Sequence, residues 1–527
     1  MSSPPASSGP SAPHLTGLSL YLVLGAVYLS ILCLAMDRTM LSPALGTITS
    51  EFGTIKDVGW YTSSNLMTTA ATQCLYGAVY KVFNTKWTFV ASIVLFEVGS
   101  LIAALSPTSS VLILGRAVSG LGGAGLSSGS YVIIAKVVPL QKRASFLGLF
   151  GGIWGIASIC GPLLGGYFAG SVTWRWCFYI NLPIGGMTLL AMLFFPSPNT
   201  YDDGKNPKMT FISKLLQLDL LGAAALLPAV VTLLLALQWG GGEFSWSSAA
   251  IVGLFLGSGL LYVIFAVIQI KRQDKGLLPP SLFKERDVAC GMLYNFFFGA
   301  FYYVMLPYLS IYHQAVQGVH ANQVGLRLLP LSLAAVLSST LSGIVISRLK
   351  TYNFVLLVET GVAAIAAGLM LRFSLGTPAS YWIPSEILWG LGVGAGFQIA
   401  QLVLQNTVPY HMIPQASAGV QFFGILGGAV SVASAQAAFQ NGLVDAMRKN
   451  VPQVTPNIVV NTGATQLRHT LESLGQPDTV IQAVLDCYAI GLKNTFYICT
   501  AAATASFFVA LGFRWKSPAY IVPARSN

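Results

Sequence analysis

Charged residues are scarce in this sequence, and their scarcity excludes a soluble architecture. Asp, Glu, Lys and Arg make up 9% of the 527 residues and hydrophobic residues 54%, with a mean hydropathy of +0.69. Soluble domains carry about 25% charged residues. Alternating segments of about ten residues, the pattern of β-barrel strands, are also lacking. We therefore expect an all-α polytopic membrane protein, because helices close their own backbone hydrogen bonds in lipid.

Motifs for enzymatic chemistry are missing as well. The sequence has no nucleophile with an adjacent base, no metal-ligand cluster and no Walker-type GxxxxGK[ST] motif. Without a phosphate-binding loop the chain has no built-in ATP motor, so any driven process would draw on an ion gradient or on the gradient of a ligand. We expect neither an enzyme nor a cofactor or metal.

Cysteine is sparse, and its seven residues stand singly without CxxC spacing. We expect them to pack as small apolar side chains, with a Cys177 to Cys487 bridge left open if both lie outside the cell. The net charge of +11 comes from Lys and Arg in short loops between apolar runs. That distribution indicates membrane topology and not nucleic-acid binding.

Apolar runs of about 20 residues, the length that crosses a ~30 Å hydrocarbon core, recur along almost the whole chain. They predict fourteen transmembrane helices, near residues 17–37, 58–80, 87–106, 111–135, 144–168, 176–196, 218–238, 248–270, 288–312, 323–347, 354–373, 382–406, 417–440 and 494–514. Lys and Arg are about twice as frequent in loops on the side of the two termini, and positive loops favour the cytoplasm. Both termini are therefore predicted to be cytoplasmic.

An internal repeat divides the chain into two halves, as is typical of transporters. The stretch RAVSGLGGAG, which starts at Arg116, is similar to EILWGLGVGAG, which starts at Glu386, so that Gly120 aligns with Gly390. The predicted parts are a disordered cytoplasmic tail (1–16), an N-terminal six-helix half (17–196), a cytoplasmic linker (197–217), two inserted helices (218–270), a C-terminal six-helix half (288–514) with an outer loop (443–493), and a cytoplasmic tail (515–527). The outer loop is expected to be a spacer, with a lid as the alternative.

Five short motifs follow one another in the N-terminal half. They are AMDRTMLSPAL from Ala35, GAVYKVFNTK from Gly77, RAVSG from Arg116, GPLLGG from Gly161 and WRWCFYINLP from Trp174. Together they resemble motifs of the major facilitator superfamily, although Lys81 stands where that family has Asp. With fourteen spans the chain resembles the drug:proton antiporter branch, and most of all fungal toxin and multidrug efflux pumps. The resemblance implies two halves that rock around a midplane site.

Charged side chains within the predicted spans are candidates for proton coupling. Such a charge costs at least ~2.5–3.5 kcal/mol on insertion scales, so it needs a partner, water or a function. We expect Arg116 to interact with Asp37, which would accept the proton; a static ion pair is the alternative. Glu386 is expected to face the cavity from the other half, or else to snorkel to the outer interface. Glu97 and Glu359 are expected to be structural.

Polar and aromatic side chains on helices that would border the cavity form the predicted substrate site. They are Tyr294, Asn295, Gln398, Gln401, Gln405, Tyr131 and Trp154. The three glutamines recur at spacings of three and four, hence on one helix face. Hydrogen bonding between helices is the alternative role.

The segment Gly151–Gly170 carries seven glycines and a proline. Small residues let membrane helices approach closely, and proline kinks are tolerated there. We expect the face around Gly161 to press against a helix of the other half and to act as a gate, with static packing as the alternative. The predicted gating and packing residues are Gly77, Gly120, Gly161, Pro162, Gly165 and Gly166.

The leading hypothesis is a secondary transporter that exports small, largely hydrophobic compounds, such as a toxin, a secondary metabolite or drugs, in exchange for protons. Proton-coupled uptake of an iron chelate or nutrient is the alternative, and a receptor or scaffold that no longer transports is a remote one. The expected partners are the small-molecule substrate, protons and the lipid bilayer, with no nucleic acid, and we expect a monomer. The plasma membrane is the expected location, with a vacuolar or vesicle membrane as the alternative.

Overall fold

The computed structural model describes residues 18–52, 58–194, 211–240, 244–319, 321–349, 351–461 and 467–515. Helices dominate these residues, and the only β pairing within them is an isolated bridge between Gly240 and Phe244. The predicted N-terminal tail, most of the cytoplasmic linker and the C-terminal tail after Trp515 lie outside the described residues.

Twelve helices of the described residues are long and apolar enough to cross a membrane, which confirms the all-α polytopic class. The longer helices are α1 (Leu18–Phe52), α2 (Val58–Val82), α3 (Thr85–Ala104), α4 (Ser109–Val137), α5 (Leu140–Ser171), α6 (Asn181–Phe194), α7 (Leu220–Trp239), α8 (Ala249–Arg272), α9 (Arg286–Ile311), α10 (Leu329–Leu349), α11 (Asn353–Met370), α12 (Ala379–Val393), α13 (Gly396–Thr407), α14 (Ile413–Asn450) and α15 (Asp478–Ala510). The more polar α2 and α15 are not among the twelve. They lie at the predicted second and last spans, so the count of fourteen stays a prediction.

Polar residues before the helices satisfy the backbone groups that a helix start leaves without partners. Asn84 accepts a hydrogen bond from the backbone of α3, Asp219 from that of α7 and Ser248 from that of α8. Such caps contribute about 1 kcal/mol each. They mark where the chain turns from a loop back into an apolar helix.

Helix contacts fall into two similar groups. In the first, α1 packs on α5 and α4 packs on both α2 and α3; in the second, α9 packs on α14 and α12 packs on both α10 and α11. The two groups meet along α5 and α10 and along α2 and α14. The inserted helices α7 and α8 pack on each other, and α7 also contacts α2 and α14. Helix α8 exposes Leu256, Leu260 and Val263, as expected of a face that meets lipid.

The repeated glycines hold equivalent positions in the two groups. A Cβ added at Gly120 would overlap atoms of α2, and one added at Gly390 would overlap atoms of α10. Two residues further on, Gly122 presses on α3 and Gly392 presses on α11. The sequence repeat therefore corresponds to a structural repeat, in which one helix of each group touches two neighbours through backbone contacts.

The contact predicted for the face around Gly161 is wrong. A Cβ at Gly161 or Gly165 would overlap atoms of Thr39 and Met40 on α1, a helix of the same half. The nearest atom to a Cβ at Gly166 is Pro43 Cβ at 4.0 Å, also on α1. A small face shows that a neighbour is close, but its sequence does not say which neighbour it is.

The other half is met by an earlier part of α5. Gly148, Gly151 and Gly155 contact α10, and their spacing of three and four places them on one helix face. Beyond them, Pro162 reaches the other half as well, because a Cβ at Gly325 would lie 3.8 Å from Pro162 Cβ. The glycine-rich segment thus carries two packing surfaces. Gly151 and Gly155 contact α10 of the other half, whereas Gly161 and Gly165 contact α1 of the same half.

The predicted outer loop 443–493 is largely helical. Helix α14 continues to Asn450 and α15 already begins at Asp478, with the short helices Pro456–Asn461 and Leu467–Ser473 between them. All seven cysteines lie in the described residues and are free thiols. The bridge left open between Cys177 and Cys487 is therefore not present.

Adjacent glycines on α5 allow a matched test of the contact with α1. Gly165→Leu would force a side chain into the Met40 carbonyl, and overpacking of this kind costs about 1–3 kcal/mol. We expect a clearly lower midpoint of thermal unfolding in detergent. Gly166→Leu, with its nearest neighbour at 4.0 Å, should change the midpoint little. Equal midpoints for the two variants would contradict the packing described.

Candidate functional site

A cavity lies between the two helix groups. It contains about 1160 Å³ of empty space, counting the part that opens to solvent. Its walls come from α1, α4 and α5 of one half and from α9, α10, α12, α13 and α14 of the other. The aromatic side chains in the walls are Tyr131, Phe150, Trp154, Tyr302, Tyr303 and Trp389. A concave, mostly apolar site with few polar groups suits a small organic molecule.

Five of the seven residues predicted to contact substrate line this cavity, namely Tyr131, Trp154, Asn295, Gln398 and Gln401. The other two are not among the described lining residues. Tyr294 is fully buried and packs edge-on against Phe513 at 6.1 Å between ring centroids. Gln405 is directed to α4, where its Nε2 lies 3.5 Å from the backbone oxygen of Tyr131.

The cavity amides also connect helices, so the same side chains line the cavity and form hydrogen bonds between helices. Asn295 Nδ2 donates to the Val420 carbonyl at 2.9 Å, and Gln401 Nε2 donates to the Ser417 carbonyl at 3.1 Å. The amide oxygen of Gln398 accepts a hydrogen bond from Gly151 N at 3.2 Å. These bonds fix amide groups in the cavity wall.

Asp37 and Arg116 form a buried ion pair between α1 and α4. Arg116 Nη1 lies 2.6 Å from Asp37 Oδ2, and each residue is 1% exposed. Arg116 Nε also donates to the Tyr61 carbonyl at 3.0 Å, and Asn181 Nδ2 donates to Asp37 Oδ1 at 3.1 Å. Both charges are thus compensated, which a buried pair requires.

The motif from Trp174 to Pro183 supplies part of this arrangement. Its Asn181 holds Asp37, while its first two residues hold the end of α1. Trp174 Nε1 donates to Glu51 Oε2 at 2.6 Å, and Arg175 Nη1 lies 2.8 Å from Glu51 Oε1. The hydrogen bond from Trp174, aided by Arg175, holds the pKa of the Glu51 carboxyl below its usual value.

A second buried pair lies in the other half and includes a residue that sequence reasoning missed. Glu386 Oε1 lies 2.8 Å from His313 Nε2, and both side chains are fully buried. His313 belongs to a π-helical turn, Tyr312–Val316, that continues α9; such turns are frequent at functional sites. Glu386 is not among the described residues that line the cavity, nor does it snorkel, because His313 binds it. The available signal was a lone histidine at the end of an apolar run.

The two glutamates expected to be structural lie in helix contacts, Glu359 buried and Glu97 half-buried. Glu359 on α11 accepts hydrogen bonds from Ser338 and Ser342 of α10. Glu97 on α3 packs against Gly185 of α6. Within the described residues neither one lines the cavity.

The ends of the halves at the predicted cytoplasmic face are joined by direct contacts. Lys81 Nζ of α2 donates to Gln415 Oε1 of α14 at 2.7 Å. A Cβ at Gly77, one turn earlier, would lie 2.6 Å from Ala418 Cβ. On the other side of the bundle, the hydroxyl oxygens of Ser145 and Ser347 are 3.0 Å apart. Together these contacts join the two halves at this end.

Comparison with known proteins identifies the family. The profile of the Major Facilitator Superfamily matches residues 27–432. The chain belongs to the Major Facilitator Superfamily. It is 38% identical to "MFS-type efflux pump MFS1" of Arthroderma benhamiae over 96% of this chain and 93% of that protein.

A second relative supports this assignment, and a solved structure has a similar fold. "Efflux pump aflT" of Aspergillus parasiticus is 38% identical over 96% of this chain and 98% of its own length. The solved proton:xylose symporter XylE shares 13% identity, with a TM-score of 0.59 and coverage of 93% of this chain and 95% of that one. The chain is therefore a multi-pass membrane transporter and not an enzyme, as the motifs predicted.

The Asp37–Arg116 pair can be tested by removing one charge and then both. Arg116→Met leaves a buried carboxylate without its cation, which costs about 3–5 kcal/mol. We expect a strong drop in the midpoint of thermal unfolding in detergent, and partial recovery when Asp37→Asn is added. A double variant whose loss equals the sum of the single losses would show that the two side chains act independently.

Proposed function

We propose that this chain exports small, largely hydrophobic compounds in exchange for protons. The observation that carries the proposal is the aromatic cavity between the two halves, because its walls combine apolar surface with a few fixed amides. The names of the fungal relatives support the outward direction. Export from the cell requires the plasma membrane, which is the location proposed for this protein.

Asp37 is the proton acceptor in this mechanism. Protonation of its carboxylate removes the negative charge that compensates Arg116, whereas the bond from Arg116 to the Tyr61 carbonyl can persist. The contact between α1 and α4 is then weaker, and the free-energy difference between two conformations of the transporter changes. A proton that moves across ~100 mV supplies about 2.3 kcal/mol.

Proton access must differ between the two conformations. Asp37 and Arg116 are each 1% exposed, so a proton reaches Asp37 only after the helices around it move. The contacts that join the halves at the predicted cytoplasmic end must also separate to admit substrate from that side. Alternating access thus couples one opening to the other.

Replacement of Asp37 tests proton coupling. In inverted membrane vesicles with an imposed pH gradient, Asp37→Asn should reduce accumulation of a hydrophobic fluorescent compound to the level of vesicles without the protein. Binding of that compound to purified protein should persist, because Asp37 does not line the cavity. Asp486→Asn, an exposed change of the same kind, should behave as wild type. Gradient-driven accumulation retained by Asp37→Asn would remove this residue from the mechanism.

A reversible cross-link tests whether the predicted cytoplasmic end must open. The side-chain oxygens of Ser145 and Ser347 are 3.0 Å apart, so cysteines at both positions should form a disulfide on oxidation. We expect oxidation to stop transport by the double variant and a reductant to restore it. Each single cysteine variant, treated in the same way, should remain active. Undiminished transport by the cross-linked protein would contradict separation of α5 and α10 at this end.

A further inference from the structure

Arg38 is the only charged residue among the described residues that line the cavity. It follows Asp37 on α1, within the apolar stretch Leu18–Leu41 that is suited to cross the membrane. Successive residues of a helix point about 100° apart, so Asp37 meets α4 while Arg38 reaches the cavity. A cation at this depth is costly and is by default a sign of function.

The described part of the protein does not neutralise this cation. Within the described residues no carboxylate forms an ion pair with Arg38. Its Nε is buried and has no hydrogen-bond acceptor among those residues. The adjacent Asp37 is already bound by Arg116 and by Asn181. Because the charges of Asp37 and Arg116 cancel, Arg38 gives the cavity wall a net positive charge.

An aromatic side chain lies beside the guanidinium, and others line the same cavity. The Cζ atom of Arg38 lies 5.8 Å from the ring centroid of Trp154, a distance at which a cation is attracted by the ring face. Tyr302 and Tyr303 line the same cavity from the opposite half. The contact with Trp154 holds the guanidinium of Arg38 in place. The N–H donors of the guanidinium are arranged as a fork that matches a carboxylate.

We propose that Arg38 binds the acidic group of the transported compound, so that the cavity selects aromatic organic anions such as carboxylates. This inference rests on the proposed export function and names its substrate class. The carboxylate pairs with the guanidinium through charge-assisted hydrogen bonds, and the ring system lies among the aromatic side chains. An organic cation of the same size meets a positive charge and no carboxylate in the described wall.

The test compares two probes of nearly equal shape, 2-naphthoate and the neutral 2-naphthamide. Equilibrium binding to the purified full-length protein in lipid nanodiscs is measured by titration calorimetry at neutral pH. Wild type should bind the naphthoate at least about tenfold more tightly than the amide, the difference expected from one charge-assisted contact. Arg38→Gln should abolish this preference while amide binding stays within about twofold. Arg38→Lys should keep part of it, because the charge remains but the fork does not.

Arg372 supplies the matched control, since it is an exposed arginine outside the cavity wall. Arg372→Gln should retain the preference for naphthoate, which shows that net charge alone does not decide binding. Unchanged amide binding by Arg38→Gln also reports that this variant is folded.

Three results would overturn the proposal: wild type without a preference for naphthoate over the amide, an Arg38→Gln variant that retains the preference, or an Arg38→Gln variant that loses both probes. A variant that loses both probes equally would make Arg38 a packing residue, and Arg38→Lys would then lose both as well. The measurement uses no pH gradient, so its failure is distinct from a failure of proton-driven export. A failure of proton-driven export would appear only in the vesicle assay.

Discussion

Neighbouring helices of this transporter approach each other through glycine, because lipid gives no hydrophobic gain for bringing two apolar helices together. The association depends on van der Waals contact between backbones and on hydrogen bonds at short range. Gly120 and Gly122 bring α4 against α2 and α3, and Gly390 and Gly392 do the same for α12 in the other half. The buried charge pairs and the cavity wall depend on this close packing, since it sets the distances at which buried side chains meet.

The buried charge pairs illustrate the consequence. Each half joins its first helix, or the turn that continues it, to its fourth: Asp37 to Arg116 in one half and His313 to Glu386 in the other. The acid stands on the first helix in one pair and on the fourth in the other. The repeat therefore preserves the position of the pair, but the acidic residue and its basic partner have exchanged helices between the two halves.

A cation left over from this pairing lies in the cavity wall. Arg38 adjoins an acid that is already compensated, so its own charge is available to a ligand. The same wall offers aromatic surface and amides fixed by bonds to α14. Specificity for a charged, flat molecule would then come from a few groups held rigidly by a glycine-packed frame.

Much of the fold and part of the candidate site could be predicted from residue types and their spacing. Helix positions, the family and the closeness of Asp37 to Arg116 follow from apolar length, motifs and the cost of a lone charge in lipid. The helix that contacts Gly161 could not be predicted, because a glycine indicates that a neighbouring helix is close but not which helix it is. His313 was also missed, since one histidine at the end of an apolar run carries no spacing pattern.

The sequence by itself determined that the chain crosses the membrane as helices in two related halves, because composition and periodicity report the solvent that surrounds each segment. Only the tertiary structure decided which faces meet across the halves and which side chains reach the cavity. Tyr294 and Gln405 share the residue types of the cavity lining yet point elsewhere. The physical reason is that orientation about a helix axis is set by packing against neighbours distant in the chain, and one sequence read in order does not contain those neighbours' positions.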